Sequence, residues 1–495
     1  MGSSPCYANF YQGFGDPVFG IQTYDYGVFG QDNWKIRPRL TLQLGVRYDY
    51  EFLPFPSSNL TSATTNTAGT QNFFPYAGLN NRPTDKNNYG PRVGLAWDVL
   101  GNGTTVLRFG YGMFYGRTNN GILLNTLLDT GSPNGQYTTT FKPATGPSFP
   151  NIEGAGSAPT PSSYFLAKNL QNPMVHEFDV VMQQDMGKGF VFNLSYLGAL
   201  GRELPNFLDL NLNPTTTNVA VTVSDSTGKG PIANGTVLNV PTYTAYGNTA
   251  LFGANAAKFQ SITEVISNIN SSYNALVAEI QNRAYHGLQF DLNYTWSHAL
   301  DFNQNATTTN TANNWYDPYA NPRSNYGNSN YNVPNRLVGY MLYEFPNVHS
   351  EHAYAKYLAN GWQFNDTFQM QNGLPYSYST GSYTSQGLIS GLNGAGGASY
   401  LPELGRNTLK LKRDVVDDAR LTKAIPFTDR YNLELRADMF NVANHQNVTA
   451  VSTTAYNLSG STATYTTAFG VPTSVNSSGF LYTPREIQIS ARFLF

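Results

Sequence analysis

The last twelve residues, PREIQISARFLF (484–495), alternate without a break. Ile487, Ile489, Ala491, Phe493 and Phe495 fall on one face, and Glu486, Gln488, Ser490 and Arg492 on the other. A period of two is a strand with one apolar side and one wet side. Chain ends usually fray and gain little from exposed aromatics. A terminus that finishes Phe-Leu-Phe is therefore expected to lie against something apolar.

The same pattern recurs along the chain. LTLQLGVRYDY (40–50) sets Leu40, Leu42, Leu44, Val46, Tyr48 and Tyr50 against Gln43, Arg47 and Asp49. RVGLAWDV (92–99) opposes Val93, Leu95 and Trp97 to Arg92 and Asp98. GLQFDLNYTWS (287–297) and RYNLELRADMF (430–440) alternate in the same way. Further strands are expected near 21–35, 104–116, 174–186, 189–199, 274–285, 335–346, 360–372 and 415–426. That makes about thirteen, and no helix-period segment competes with them.

Composition agrees with strands and excludes several classes. Charged residues are 12% of the 495 and aromatics 14%, against about 25% charged in ordinary globular domains. Mean hydropathy is -0.34, and no run approaches the ~20 apolar residues of a transmembrane helix. The formal net charge of -2 gives no pull toward nucleic acid. A single cysteine, Cys6, rules out an internal disulfide framework. The opening run MGSSPCYANFYQGFGD has neither a basic nor an apolar signal region, so any export address is expected upstream.

The connections alternate in length. Short ones fall near 36–39, 99–104, 186–190, 285–288 and 426–430, with a longer one at 346–360; long ones fall near 53–88, 117–173, 200–273, 300–334, 373–414 and 442–483. Outer-membrane barrels keep that parity, with short periplasmic turns and long external loops. If the long loops are external, aromatics gather at both rims. Tyr48, Tyr50, Tyr115, Tyr196 and Trp296 lie near the outer one, and Tyr343, Phe345, Trp362, Phe493 and Phe495 near the inner one. Bilayer interfaces favour such girdles. The expected fold is all-β, an antiparallel transmembrane β-barrel whose apolar face meets outer-membrane lipid.

Several runs, taken in order, resemble the barrel of TonB-dependent outer-membrane transporters, in the Oar-like branch often joined to a carboxypeptidase-regulatory-like domain. They are YGVFGQDNWKIRPRLTLQLGVRYDYEFLP (26–54), YGPRVGLAWDVLGNGTTVLRFGYGMFYGR (89–117) and SSYNALVAEIQNRAYHGLQFDLNYTWSHALD (271–301), then NYNVPNRLVGYMLYEFP (330–346), NGWQFNDTFQMQNGLPYS (360–377), LELRADMFNVANHQNV (433–448) and the terminal run. The resemblance implies a barrel of about 22 strands with a plugged lumen. It implies an outer-membrane receptor importing a bulky substrate, coupled to a TonB-type complex through the plug. A terminal strand ending in Phe493 and Phe495 is similar to the signal read by the outer-membrane assembly machinery. Only 13–14 strands are counted and neither plug nor coupling box is found, so residues 21–495 are expected to be the C-terminal part of the barrel. Residues 1–20 are expected to be the remnant of an external loop. A passive outer-membrane pore, or a secreted all-β glycan-binding module, would be the alternatives.

Candidate site residues fall in two groups. Arg47, Asp49, Arg92, Asp98, Arg108, Asp179, Asp291, Arg336, Glu434, Arg436, Asp438 and Arg492 lie on the inward faces. They either grip a plug and guide substrate or simply pair across strands. NNWYDPYANPRSNYGNSNYN (313–332) gathers Trp315, Tyr316, Tyr319, Tyr326 and Tyr331 in one external loop, with rings to stack on a ligand or on each other. His349, Glu351 and His352 lack the spacing of a zinc motif and read as a solvated turn. No nucleophile elbow, phosphate loop or carboxylate pair points to an enzyme, and no cofactor is expected. Asp366 fits poorly: parity puts it on the apolar face with Trp362, Phe364, Phe368 and Met370, unless a bulge re-aims it or it meets a neighbour outside this chain.

Overall fold

A computed structural model describes residues 7, 10–15, 22–53, 81, 83–128, 136–141, 146–148, 150–152, 163–211, 216–243, 247–258, 262–302, 322–349, 351–380, 404–428, 430–476 and 483–495. Among these residues, thirteen long strands follow one another in a single antiparallel sheet, each beside its neighbour in sequence. They are β1 (Tyr24–Arg37), β2 (Leu40–Phe52), β3 (Tyr89–Asp98), β4 (Thr105–Tyr115), β5 (Met174–Gly187), β6 (Phe190–Asp209), β7 (Ile262–Tyr285), β8 (Leu288–Asp301), β9 (Asn335–Glu344), β10 (Trp362–Gln371), β11 (Asp414–Pro426), β12 (Asn432–Phe440) and β13 (Glu486–Leu494). Every strand expected from the alternation is present. The free edges of β1 and β13 carry no strand partner among the described residues.

Register makes the two faces literal, because directly paired residues point to the same side. Leu44 pairs with Val93, Leu95 with Phe109, Val180 with Tyr196, and Leu276 with Trp296. At the far end Leu435 pairs with Ala491 and Ala437 with Ile489. These side chains stay open to the surroundings, with Ile489 83% and Trp296 60% exposed. An apolar face this wide is uncovered in water and matched in hydrocarbon, at about 25 cal/mol for each Å² removed from water.

The short connections are built by turn chemistry. Lys188 and Gly189 both take positive φ, as do His286 and Gly287. Two such residues make the turn whose twist suits a two-residue hairpin. At 99–104 the Asp98 carboxylate accepts the amides of Gly101 (2.8 Å) and Gly103 (3.0 Å), closing the turn. The long connections carry structure that periodicity did not reveal. Among the described residues there are three short α-helices, α1 (Asn120–Leu128) and α2 (Thr249–Phe252) in long connections and α3 (Ala353–Ala359) in the 346–360 connection. Asn119 caps α1 by accepting the Gly121 amide at 2.7 Å, and Ile122 and Leu123 then bury against Phe207 and Val265.

That packing is possible because β6 and β7 overshoot the sheet. The strands expected at 189–199 and 274–285 run on to Asp209 and back from Ile262, pairing up to Thr263 with Asp209. Ser163–Leu166 adds in parallel to Ile262–Val265. A separate five-stranded sheet joins Val237–Tyr243, Thr216–Ser224, Thr462–Tyr465, Thr454–Ser459 and Ser379–Thr380 in that order. It knits together the connections after β6, β10 and β12 around buried Val221, Val223, Ala455, Tyr456 and Ala463.

Candidate functional site

The polar face of the sheet collects charge in rows. In one row Gly45, Arg92, Gly112, Glu177, Ala199 and Tyr273 are successive cross-strand partners from β2 to β7. The next row is Gln43, Gly94, Gly110, Asp179 and Leu197, and the one after it holds Ala96, Arg108 and Val181. Arg47 and Asp49 lie on the same face of β2 and pair with each other at 2.8 Å. Asp291 on β8 accepts Asn293 Nδ2 at 2.6 Å, and Arg336 on β9 donates to Gln369 at 3.1 Å. Asp98 lies on this face too, but its carboxylate is engaged by the turn it caps.

On β11–β13 the charges are coupled to one another. Arg420 and Asp438 are cross-strand partners and form an ion pair. Arg436 pairs with Glu434 at 2.5 Å, and Arg492 is the cross-strand partner of Glu434. Glu177, Asp418 and Arg420 share the polar face, although sequence reading did not single them out. The same period of two that exposed Asp179 would have found Glu177.

Between β2 and β7 the polar face is hollowed into a concavity of about 770 Å³, lined by Gly45, Gly94, Gly110 and Gly112. Its Arg92 and Phe114 also line a second hollow, of about 360 Å³, that reaches Glu51 and Arg117 at the long-loop end. There Arg117 is held by Asp25 at 2.7 Å. Glu51 accepts the Thr118 amide and Asn172 Nδ2, each at 2.9 Å.

Trp315, Tyr316 and Tyr319 lie outside the described residues. Tyr326 packs its ring on Phe302 (4.9 Å) and lies 3.3 Å from the Ser272 hydroxyl. Tyr331 is 81% exposed, and no ring contact joins it to Tyr326 among the described residues. The better-built feature is Arg406, from the connection after β10, a residue sequence reading missed. It is buried and bonded to Asp301 (2.5 Å), the Asn325 carbonyl and the Gly327 carbonyl. Asn407 bonds Asn330 and the Asn328 carbonyl, so two external connections are locked together.

At the rims Tyr48 meets Tyr89 at 4.7 Å, and the Tyr196 and Tyr294 hydroxyls donate to Asn274 and Asn335. Tyr343 meets Phe345 at 4.9 Å, and Phe493 stacks on both Tyr431 and Phe495 at the opposite end. Phe495 itself is 85% exposed. His349, Glu351 and His352 are exposed in the connection before α3, and no group of three metal-ligating side chains is found among the described residues.

Asp366 is not re-aimed by a bulge, because its register with β9 and β11 is unbroken. It faces Met341 and Ala419 on the apolar side, where Asp417 lies diagonal to it. Nothing in the structure explains this carboxylate pair.

A comparison with curated proteins returns no match. Among solved structures, the outer membrane transporter YddB of Escherichia coli is similar at 15% identity and TM-score 0.47, over 95% of this chain and 45% of that one. The ferripyoverdine receptor of Pseudomonas aeruginosa is similar at 11% identity and TM-score 0.46, over 97% and 40%. The FrpB iron transporter of Neisseria meningitidis is similar at 11% and TM-score 0.43, over 95% and 46%. The chain therefore spans less than half the length of each. The model of the outer membrane beta barrel domain family matches residues 6–488, nearly the whole chain. The chain belongs to that family, and its place is the bacterial outer membrane.

Proposed function

We propose that this sheet is the C-terminal wall of a plugged, energy-coupled importer of a bulky substrate, of the TonB-dependent, Oar-like kind its sequence runs resemble. In that reading the polar face lines the lumen and the apolar face meets lipid. The observation that carries the reading is the pairing of a charged, hollowed face with external connections woven into a fixed structure. A receptor needs a shaped outer surface and a guided path, and a general pore needs neither. Engagement with a TonB-type complex belongs to the plug in this proposal, and assembly uses the terminal Phe493 and Phe495.

Strand direction supports further strands. The thirteen antiparallel neighbours among the described residues leave β1 and β13 running the same way, whereas a regular antiparallel barrel has an even number. An odd number of additional strands closes the ring, and a barrel of about 22 strands would supply nine beyond these thirteen. Open edges in hydrocarbon leave backbone groups unsatisfied at several kcal/mol each, so closure is obligatory.

The test is single-channel recording of the full-length gene product in planar bilayers. A plugged importer stays closed and conducts only after the plug segment is deleted. Steady conductance from the intact protein would instead make it a passive pore.

A further inference from the structure

The glycine-lined concavity on the polar face of β2–β7 is built unlike the ion-paired wall on β11–β13. Gly94 and Gly110 are direct cross-strand partners, and Gly45 and Gly112 flank Arg92 in the adjoining row. The glycines let neighbouring side chains lie flat across the sheet. A Cβ on Gly112 would come within 2.6 Å of the Phe114 ring, and one on Gly110 within 2.3 Å of Asp179 Oδ1. Arg92 in turn rests its guanidinium 4.7 Å from the centre of the Phe114 ring. The hollow thus has an aromatic shelf at Gly112, with Arg92 on one side of it and Glu177 on the other.

Four charges stand around this shelf: Arg92 on β3, Arg108 on β4, and Glu177 and Asp179 on β5. None of the four makes an ion pair or a side-chain hydrogen bond among the described residues, and Arg92 Nε is buried without a partner. Elsewhere on the same face Arg47, Arg420 and Arg436 each hold a carboxylate. Two cations and two anions left unpaired in one hollow call for a ligand that carries both signs. The spacing sets its size. Arg92 and Glu177 flank Gly112 in one row, two strand spacings or about 10 Å apart, with Asp179 and Arg108 set on toward the short-turn end; three extended residues span about 10 Å.

We propose that this concavity binds a zwitterionic, peptide-like solute, with its carboxylate at Arg92 and Arg108, its ammonium at Glu177 and Asp179, and its backbone over Phe114. The proposal rests on the reading of the polar face as the lumen wall.

The experiment is equilibrium dialysis of the full-length protein, in outer-membrane vesicles, against radiolabelled triglycine, N-acetyl-triglycine and triglycine amide. Triglycine should bind tighter than either blocked form by about tenfold or more, the worth of one charge-assisted contact. Arg92→Gln with Arg108→Gln should bring triglycine down to its amide and leave the amide unchanged. Glu177→Gln with Asp179→Asn should bring it down to the acetylated form. Equal binding of the three peptides, or none, would overturn the proposal. So would binding that appears only after the plug segment is deleted, which would give the seat to that segment. An Ala96→Cys substitution in a Cys6→Ser background separates this failure from failure of the lumen reading. If a charged, membrane-impermeant thiol reagent reaches position 96 while triglycine does not bind, only the peptide site is lost. If a lipid-soluble maleimide alone reaches it, the lumen reading falls as well.

Discussion

The polar face is built in two ways at its two ends. On β11–β13 there is no glycine, and the charges answer one another: Arg420 with Asp438, Arg436 with Glu434, Arg492 opposite Glu434. On β2–β5 four glycines recess the wall, and Arg92, Arg108, Glu177 and Asp179 stand without partners. Both ends obey the same period of two, so alternation alone assigns the face and not the role. What separates them is the set of neighbours. On β11–β13 a carboxylate lies within reach of Arg420 and Arg436, across the strands or two residues along; in the hollow Arg92, Glu177 and Asp179 lie opposite glycine, and Arg108 opposite Ala96 and Val181.

The largest effect that sharpens this contrast should come from the recessed end. Gly90 lies on the same face of β3, two residues before Arg92 and opposite Arg47, and a Cβ there would meet the Met113 carbonyl oxygen at 2.5 Å, where backbone cannot swing aside. Gly90→Leu in the full-length protein should cost about 1–3 kcal/mol, as overpacking does. Urea-dependent folding into lipid bilayers reads this as a lowered midpoint. Ser490→Ala on β13 should stay within about 0.5 kcal/mol in the same assay. Equal losses at both positions would erase the structural contrast.

A smaller effect comes from neutralising matched carboxylates. Asp438→Asn should lose about 1 kcal/mol or less, because Arg420 is half exposed and solvent screens the pair. Asp179→Asn should leave the midpoint unmoved, since nothing in the fold leans on that charge. A destabilised Asp179→Asn protein would mean that the hollow is held together by its acids.

The smallest effect is in the external sheet. Asp225 accepts the Thr227 hydroxyl at 2.7 Å and the amides of Thr227, Gly228 and Gly230. The Thr227 hydroxyl, then these amides, hold its carboxyl below the usual carboxylate value against the opposing cost of desolvation. A lowered folded pKa stabilises the ionised form, so the contribution is complete above about pH 4 and fades as pH falls through the folded value. Protease cleavage of the connection after β6 should rise below about pH 4, and Asp225→Asn should flatten that dependence. An unchanged profile in the variant would remove Asp225 from the account.

How much was legible follows from what makes a pattern. The thirteen strands are each nine or more residues long, enough for alternation to show, and the parity of their connections is a property of lengths alone. α1 escaped because its buried Ile122 and Leu123 sit inside a long connection and pack on Phe207, which belongs to a strand longer than its alternation suggested. The external sheet escaped because its strands are short and pair across more than 200 residues, as Thr222 does with Thr462. Arg406 reaches Asp301 over a separation of 105 residues, with no periodicity to announce it. The free charges of the hollow were visible as inward residues. Their lack of partners depends on what lies opposite, glycine for Arg92, Glu177 and Asp179, and Ala96 and Val181 for Arg108, and that is a matter of register.

In this assignment alternate residues of each strand face lipid and water. Spin labels placed singly at positions 106–113 on β4 test it most directly in the full-length protein reconstituted in bilayers. Labels replacing Leu107, Phe109, Tyr111 and Met113 should relax with lipid-soluble oxygen, and those replacing Val106, Arg108, Gly110 and Gly112 with a water-soluble nickel chelate. Opposite phase, or no alternation between the two reagents, would contradict the assignment of the faces.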